Sequence, residues 1–294
     1  MRNFYLVFFL LLVIQFGCTP KKHNGIEVEI KPNRTEVEKK LSIQDSVKFM
    51  QYLDKAGEFS LFSMKRQLYI DSALAIVPTA SQLWQQKAMP LFKQKKYEIG
   101  MPYLDSAVKY DKSKHWLEYR AFIKCIFQKS YRDALVDFNL AQEQNGNSYI
   151  MDHSYEFYKG LCYLQLNQLD SAEYFVTKCI NEELKDRDEN SAHHLHWFYL
   201  GVIQYEKEDF IGAAKSFDSS LRQYAQFSDA QFYKALCLKQ ENQAKEALAL
   251  LLNARENLQR GYTINESNAI YEAYPYQINK FMLDAYIESF QLGE

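Results

Sequence analysis

One arrangement of small and bulky residues recurs along the chain. Gly201 is followed nine positions later by Phe210, which is followed three positions later by Ala213. The arrangement starts again at Ala235, 34 positions after Gly201. Apolar residues three and four positions apart lie on one face of a helix, and a helical pattern with a period of 34 residues is typical of stacked helix–turn–helix units. The sequence therefore predicts an all-α solenoid.

The composition agrees with a long run of packed helices. The 294 residues include 22 Tyr and 20 Phe but only 10 Gly and 6 Pro, so large apolar side chains are abundant and helix-breaking residues are scarce. The formal net charge is -2. A nearly neutral chain has no strong electrostatic attraction to phosphate backbones, and nucleic acid is therefore not expected as a partner.

Two blocks of the chain carry the repeated pattern most completely. They contain Trp197, Leu200, Gly201, Phe210, Ala213, Phe217 and Ser220 in one case and Trp84, Ala88, Leu91, Tyr97, Gly100, Leu104 and Ala107 in the other. These residues resemble the tetratricopeptide repeat (TPR), a pair of helices named A and B, and weaker matches extend the resemblance to about five to six pairs over residues 43–260. The resemblance implies a TPR-type helical solenoid with a concave groove lined by helix A.

The third unit departs from the common spacing. Ten positions, rather than nine, separate its helix A small residue, Ala121, from Tyr131, so its turn is expected to differ. Longer polar insertions fall at residues 144–148 and 181–191. Insertions in repeat proteins usually lie on one face of the array, and we expect both stretches to project as loops.

The N-terminus has the character of a targeting segment. Arg2 precedes an apolar run at residues 4–14 that is too short to span a bilayer as a helix. Cys18 follows a small residue, and this arrangement resembles the lipobox of bacterial lipoproteins. The resemblance implies a lipoprotein signal peptide at residues 1–17 and lipidation of Cys18. A secreted protein with an incidental Cys18 is the alternative.

The residues that follow Cys18 predict a tether and a location. Residues 18–42 are rich in charge, contain two prolines and lack an apolar period, so we expect a flexible, lipid-anchored tether. Thr19 stands where an aspartate retains bacterial lipoproteins at the inner membrane, and the resemblance therefore implies the outer membrane. The absence of acidic residues directly after Cys18 favours its periplasmic face.

The C-terminal residues 261–294 leave the repeat pattern. Asn265 can cap a helix that runs toward Phe290, with Pro275 as an interruption. The apolar residues of this stretch predict a helix that caps the open end of the last repeat, as solenoids require. The tyrosine-rich stretch 271–276 is expected to pack on the array or to contact a partner.

The TPR resemblance also predicts which residues line the groove. Those that point away from helix B are Gln85, Met89, Phe92, Phe122, Phe157, Leu161, Leu164, Phe198, Val202, Tyr205, Phe232, Leu236 and Lys239. This apolar and aromatic strip predicts a binding site for a peptide or helix of a partner protein. The alternative is that residues 266–290 fold back and fill the strip, since aromatic stripes at helical spacing often belong to a core.

Histidines and cysteines are the remaining candidates for chemistry. His193 and His196 share a helix face, but spacing places no third ligand with them, so we interpret them as a polar helix start and expect no metal. Cys162 and Cys179 lie on the two helices of one unit, where a disulfide is possible in an oxidising compartment. Free, buried thiols are the preferred interpretation.

No motif in the sequence indicates catalysis. A phosphate-binding glycine loop, G-x-S-x-G and H-E-x-x-H are all missing, so we expect no enzyme and no cofactor. The sequence favours a non-enzymatic adaptor or scaffold of the cell envelope that binds a segment of a partner protein in its groove. The alternative is a ligand- or glycan-binding accessory lipoprotein of an outer-membrane uptake system, with Trp84, Trp116 and Tyr205 as stacking surfaces. The oligomeric state is left open.

Overall fold

The computed structural model describes residues 41–185 and 191–292, so the signal peptide, Cys18 and nearly all of the tether lie outside the described residues. Within them the chain forms thirteen α-helices, one π-helical turn and one β-hairpin. The helices are α1 (Ile43–Gly57), α2 (Met64–Ile76), α3 (Ser81–Lys93), α4 (Tyr97–Lys109), α5 (Trp116–Phe122), α6 (Tyr131–Asn145), α7 (Tyr155–Gln165), α8 (Leu169–Leu184), α9 (His194–Glu206), α10 (Phe210–Gln223), α11 (Ser228–Gln240), α12 (Ala244–Gln259) and α13 (Lys280–Leu292).

The first twelve helices form six A–B pairs, from α1/α2 to α11/α12. Small residues let the helices of a pair approach closely. A Cβ atom on Gly201 of α9 would lie 2.7 Å from the Phe217 ring of α10, and one on Gly160 of α7 would lie 2.7 Å from Val176 of α8. Contacts within each pair therefore explain the alternation of small and bulky residues. The predicted all-α solenoid of about five to six pairs is confirmed.

The A–B turns of the last five pairs share one backbone feature. Two positions after each helix A ends, a single residue adopts a left-handed backbone with φ between 56° and 62°: Lys95, Lys129, Asn167, Glu208 and Asn242. This conformation ends a helix, because it lets the following N–H groups bond back to carbonyls of the last turn. Glycine adopts it with the least strain, and none of these positions is glycine, so the turns leave no glycine signal in the sequence.

The third unit absorbs its additional residue inside helix A. Helix α5 ends at Phe122 and continues as a π-helical turn over Ile123–Phe127, and α6 begins at Tyr131. A single π-helical turn accommodates an inserted residue without ending the helix. The predicted irregularity of this unit is present, but it lies in the helix rather than in the turn.

The insertion at residues 144–148 leads into a β-hairpin. Tyr149–Ile150 pairs antiparallel with His153–Ser154, and the two residues between the strands both have positive φ, as a tight hairpin turn requires. Ser154 then caps α7, because its hydroxyl accepts the N–H of Phe157 at 3.2 Å. The hairpin thereby places His153 at the start of the fourth unit.

The C-terminal stretch differs from the predicted long helix. Residues 262–279 form an irregular loop, and α13 begins only at Lys280. Pro275 has no N–H for a helical hydrogen bond, and the N–H groups of Ile264 and Ile278 bond to a side chain of the array instead of to a helix. Helix α13 packs on α12 and α11, so the predicted cap is present as a shorter helix.

Buried apolar residues form two separate clusters. The larger cluster extends from the second unit to α13. The smaller cluster belongs to the first unit and the start of α3, and it contains Ala56, Ile70, Ala73, Leu74 and Leu83. No helix in the described part of the chain combines the length and the apolar character needed to cross a membrane.

Candidate functional site

Residues 262–279, which we call the groove loop, lie along the face of the array that the A helices form. Array side chains bind the main chain of this loop. The Tyr199 hydroxyl donates to the carbonyl oxygen of Pro275 at 2.9 Å, and Lys129 Nζ donates to that of Ala273 at 2.5 Å. Contacts of this kind depend on the path of the peptide more than on its side chains.

One buried carboxylate fastens both ends of the groove loop. Asp229, at the start of α11, is fully buried. It accepts from Thr263 Oγ1 at 2.7 Å, from the N–H of Ile264 at 3.1 Å and from the N–H of Ile278 at 2.8 Å. The two ends of the groove loop therefore lie close together, on either side of one carboxylate. Burial raises the pKa of Asp229 to about 6, although these hydrogen bonds act in the opposite direction.

The middle of the groove loop reaches the second unit through a glutamate. Glu272 accepts a hydrogen bond from the Tyr97 hydroxyl, and its carboxylate lies 3.2 Å from Lys95 Nζ. The neighbouring ring of Tyr271 lies beneath Lys93, whose Nζ is 4.3 Å from the ring centroid. Burial raises the pKa of Tyr97, and the hydrogen bond to Glu272 raises it further. Complementary charge thus holds the middle of the groove loop on the second unit.

A chain of four side chains connects the fourth and fifth units to the groove loop. Glu183 Oε2 lies 2.8 Å from His196 Nδ1. His196 Nε2 lies 3.3 Å from His153 Nδ1, and His153 Nε2 lies 3.1 Å from Glu266 Oε1 in the groove loop. Burial lowers the pKa of His196, and it lowers that of the adjacent His193 to about 4. Both rings are therefore neutral at neutral pH.

The interpretation of the histidines as a polar helix start describes only part of this arrangement. His193 does cap α9, since its Nδ1 accepts the N–H of Leu195 at 3.4 Å. The connection to the groove loop runs through His153, which lies 43 positions before His196 and carries no spacing signal. Across residues 41–185 and 191–292, no three His, Cys, Asp or Glu side chains are arranged to hold a metal ion.

One buried tyrosine per unit forms a column along the helix A face. Two positions before the helix A small residue of units three to six stand Tyr119, Tyr158, Tyr199 and Tyr233. Tyr199 contacts the groove loop through its hydroxyl, and Tyr233 contacts it through a ring 5.7 Å from that of Tyr276. Recurrence at a fixed repeat position is a sequence signal from which this column could have been predicted.

The structure buries most of the residues predicted to line an open groove. Gln85, Met89, Tyr205 and Lys239 are half-buried, whereas the buried ones are Phe92, Phe122, Phe157, Leu161, Leu164, Phe198, Val202, Phe232 and Leu236. The sequence left open whether the strip is exposed or is filled by residues 266–290, and in this structure the chain folds back. The open aromatic strip is therefore corrected to a groove occupied by the protein's own loop and by α13.

Two of the predicted residues face helix B instead of the groove. Phe92 lies against Gly100 of its own unit, and the ring of Phe198 lies 6.0 Å from that of Phe217. The residues that hold the groove loop, such as Asp229, were not predicted, because single polar side chains on an apolar helix face form no periodic pattern.

The cysteines are not paired in the way that the sequence left open as a possibility. Cys162 Sγ lies 3.5 Å from Cys125 Sγ, in the neighbouring unit, and not beside Cys179. Cys179 Sγ lies 3.4 Å from Ser154 Oγ. The four cysteines of the described residues are free and buried, as preferred from the sequence.

Solved TPR structures resemble this chain, although no protein-family model and no curated protein sequence matches it. A tetratricopeptide repeat protein from Parabacteroides merdae ATCC 43184 aligns with a TM-score of 0.58 and 15% identity, over 83% of this chain and 99% of that one. PilW, a widely conserved type IV pilus biogenesis factor, aligns with a TM-score of 0.56 and 13% identity, over 74% of this chain and 95% of that one.

The yeast protein Tom70 is a longer chain, part of which has a similar structure. It aligns with a TM-score of 0.53 and 14% identity, over 85% of this chain and 47% of that one. At identities this low, structural similarity shows the fold alone. The chain therefore has the TPR fold.

Proposed function

We propose that this protein is a non-enzymatic protein–protein interaction adaptor whose groove binds a segment of a partner protein in place of the groove loop. The observation that supports this is the main-chain binding of the loop at Ala273, Pro275, Ile264 and Ile278. A groove that binds a peptide through its main chain can accept other segments of similar path, with pockets for individual side chains adding specificity.

The groove loop acts as a competitor of the partner in this proposal. A partner segment must displace it. The apparent affinity for the partner is therefore the affinity of the open groove multiplied by the fraction of molecules in which the groove is open. Removal of one contact between loop and array raises that fraction. Regulation of the adaptor thus depends on how firmly Asp229 and Tyr199 hold the loop.

The contacts of the groove loop indicate the chemistry of the partner segment. Lys95 lies 3.2 Å from the carboxylate of Glu272, and the Tyr233 ring lies 5.7 Å from that of Tyr276, four positions further along the loop. A segment that carries a carboxylate and, four positions later, an aromatic residue reproduces both contacts. The partner is accordingly a protein with such a segment in an irregular, unfolded region.

The location of the adaptor is proposed from the sequence alone. The residues before Cys18 support lipid attachment there, Thr19 supports the outer membrane, and the absence of acidic residues directly after Cys18 supports its periplasmic face. If residues 18–42 form the flexible tether that the sequence predicts, the array would have a reach of about 25 Å r.m.s. from the membrane. Mass spectrometry of the membrane-extracted protein should find an acylated N-terminal Cys18 in wild type and none in Cys18→Ser. An unmodified wild type would contradict the anchor.

The ligand- or glycan-binding alternative receives no specific support. Trp84 Nε1 donates to the carbonyl of Pro78 at 2.8 Å, and Trp116 Nε1 donates to Ser81 Oγ at 3.2 Å. The Trp84 ring also stacks on the Tyr103 ring, with the centroids 6.2 Å apart, so one face that a sugar would need is covered.

The test of the adaptor is partner capture by crosslinking in cells, with wild type compared to two hydroxyl deletions. Tyr199→Phe removes the hydroxyl that holds Pro275, which weakens the loop by about 1 kcal/mol and should raise partner capture several-fold. Tyr174→Phe makes the same chemical change at an exposed position of α8 and is the matched control. A synthetic peptide with the sequence of residues 262–279 should compete with the captured partner.

Hydrogen exchange on the same proteins measures how often the groove loop opens, which is needed to interpret the crosslinking result. Faster exchange of the amides of Ile264 and Ile278 in Tyr199→Phe verifies that the loop opens more often. If the loop opens more often and the captured proteins stay the same in kind and amount, the groove is a structural feature and the adaptor proposal is wrong.

A further inference from the structure

Two cysteines from neighbouring repeats touch in the interior of the array. Cys125 lies in the π-helical turn of the third unit and Cys162 lies in α7 of the fourth. Both are 0% exposed, and their sulfur atoms are 3.5 Å apart. Cys125 Sγ also lies 3.9 Å from the carbonyl oxygen of Tyr158. A direct thiol–thiol contact between two separate helices is the starting geometry for a disulfide.

The π-helical turn is the reason for this contact. Helix A of the third unit carries one residue more than the common spacing, and the π-helical turn Ile123–Phe127 absorbs it. The insertion changes the direction in which the following side chains point, relative to an uninterrupted α-helix. Cys125 lies at the centre of this turn and contacts Cys162 of α7, so the two thiols meet at the irregular position of the repeat.

We propose that Cys125 and Cys162 are a disulfide-forming pair that covalently joins the third and fourth units when the chain meets a disulfide donor. A disulfide has an S–S distance of about 2.05 Å, so the sulfur atoms must approach by about 1.5 Å. A rotation of the side chains within one helix interface provides a movement of this size. The inference is independent of the adaptor function, although an oxidising envelope is a compartment in which such bonds persist.

The donor is a small-molecule or protein disulfide, and the exchange has two steps. The Cys162 thiolate attacks one sulfur of the donor, and the other donor sulfur leaves as a thiolate and takes up a proton. The Cys125 thiolate then attacks the Cys162 sulfur of this mixed disulfide and releases the second donor thiol. Two cysteine thiols and one donor disulfide thus become one Cys125–Cys162 disulfide and two donor thiols, and the two cysteine protons end on the donor.

Burial controls when the exchange takes place. Burial raises the pKa of the Cys162 thiol, and contact with Cys125 raises it further, so the closed array contains the unreactive thiol form. Repeat arrays open between neighbouring units at a free energy below that of global unfolding. The donor therefore reacts during folding or in such an opened state, and the disulfide then prevents the same opening.

The experiment is refolding of the full, reduced chain from urea in the presence of oxidised glutathione, followed by alkylation under denaturing conditions and peptide mass mapping. We expect a Cys125–Cys162 linked peptide, while the peptides with Cys179 and Cys237 remain alkylated. Because the bond closes a loop of 37 positions, the Tm of the oxidised protein should exceed that of the reduced protein by roughly 5–10 °C. Cys18 lies on a separate peptide and is followed independently.

Two alanine variants separate the bond from general packing effects. In Cys125→Ala the oxidised and reduced proteins should have the same Tm, whereas Cys237→Ala should keep the full difference. Each comparison is made within one variant, so a loss of packing at Cys125 does not affect it. Full alkylation of both Cys125 and Cys162 after oxidation, or a bond between Cys162 and Cys179, would overturn the proposal.

Discussion

The two ends of the solenoid are completed in different ways. At the C-terminal end, Leu283 and Ile287 of α13 are 0% and 3% exposed and cover the last pair. At the N-terminal end, Ile43 of α1 and Met64 of α2 are 86% and 74% exposed, and nothing in the described ranges covers them. The last unit thus has neighbours on both sides, whereas within the described ranges the first unit has a neighbour on one side only.

The two ends of the array also differ in their buried cores. The first unit has its own small cluster, which includes Ile70 and Leu74, while units two to six share one continuous core with the groove loop and α13. In a linear array each unit is stabilised by its neighbours. We therefore expect stability to increase from the first unit toward the units that contact the groove loop, and the predictions below test this gradient.

The largest effect is expected for Asp229→Ala, which removes the common acceptor of Thr263, Ile264 and Ile278. Two buried N–H groups lose their partner, and we expect a loss of about 3–5 kcal/mol in the free energy of unfolding, measured with urea. Asp218→Ala is the control, because its 2.5 Å pair with Lys234 is partly exposed and should cost at most about 1 kcal/mol. Equal losses in the two variants would show that Asp229 does not fasten the loop.

The second effect is acid destabilisation, and it arises from histidines near the groove loop. Burial lowers the pKa of His193 to about 4 and that of His194 to about 3, below the unfolded value of about 6.5. The unfolded chain therefore binds protons that the folded chain does not, and stability is lost as the pH falls below 6.5. The raised pKa of Asp229, about 6, acts in the opposite sense, because the folded chain gains that proton first.

The balance favours the histidines. Between pH 7 and pH 5 the free energy of unfolding should fall by about 3 kcal/mol, measured by urea unfolding at both pH values. His194→Gln should remove about 2 kcal/mol of this fall. The first two units contain no histidine, so hydrogen exchange should locate the acid-induced loosening near the groove loop and not at the exposed end. An unchanged fall in His194→Gln would contradict the assignment.

The third effect compares one glycine in the core with one at the exposed end. A Cβ atom at Gly201 would lie 2.7 Å from the Phe217 ring, whereas nothing lies within 4 Å of a Cβ atom at Gly57. We expect Gly201→Ala to destabilise the protein by about 1–3 kcal/mol and Gly57→Ala to be neutral or to stabilise it by up to about 1 kcal/mol. Thermal unfolding of the two variants measures the difference, and a reversed order would refute the close approach of α9 and α10.

The smallest effect is expected at the exposed end itself. Ile43 is 86% exposed, so Ile43→Gln should change the free energy of unfolding by no more than about 0.5 kcal/mol. Hydrogen exchange should find the amides of α1 and α2 less protected than those of α9 and α11. A loss of more than about 2 kcal/mol would show that this face is covered in solution, and size-exclusion chromatography would then detect the covering copy.

The sequence by itself determined that the chain is built from repeated helix pairs and which residues belong to each pair. Gly201, Phe210 and Phe217 belong to one helix pair, and their spacing follows from the geometry of two helices joined by a short turn. Because the two helices of every pair pack in the same way, the same order of small and bulky residues recurs along the chain, with a period of 34 residues where no insertion falls, and it can be read without the structure. The cap at the C-terminal end followed from the same reasoning, since a solenoid must cover its last apolar face.

Only the tertiary structure decided what occupies the groove. Tyr97 and Glu272 are 175 positions apart, and Asp229 and Ile278 are 49 apart, so no local period relates them. The apolar face of the A helices can be buried by a partner, by a tight winding of the array or by the chain's own loop. Which of these covers the face depends on whether single polar side chains, such as Asp229, lie next to complementary groups in space. Those pairs become visible only when the complete fold is known.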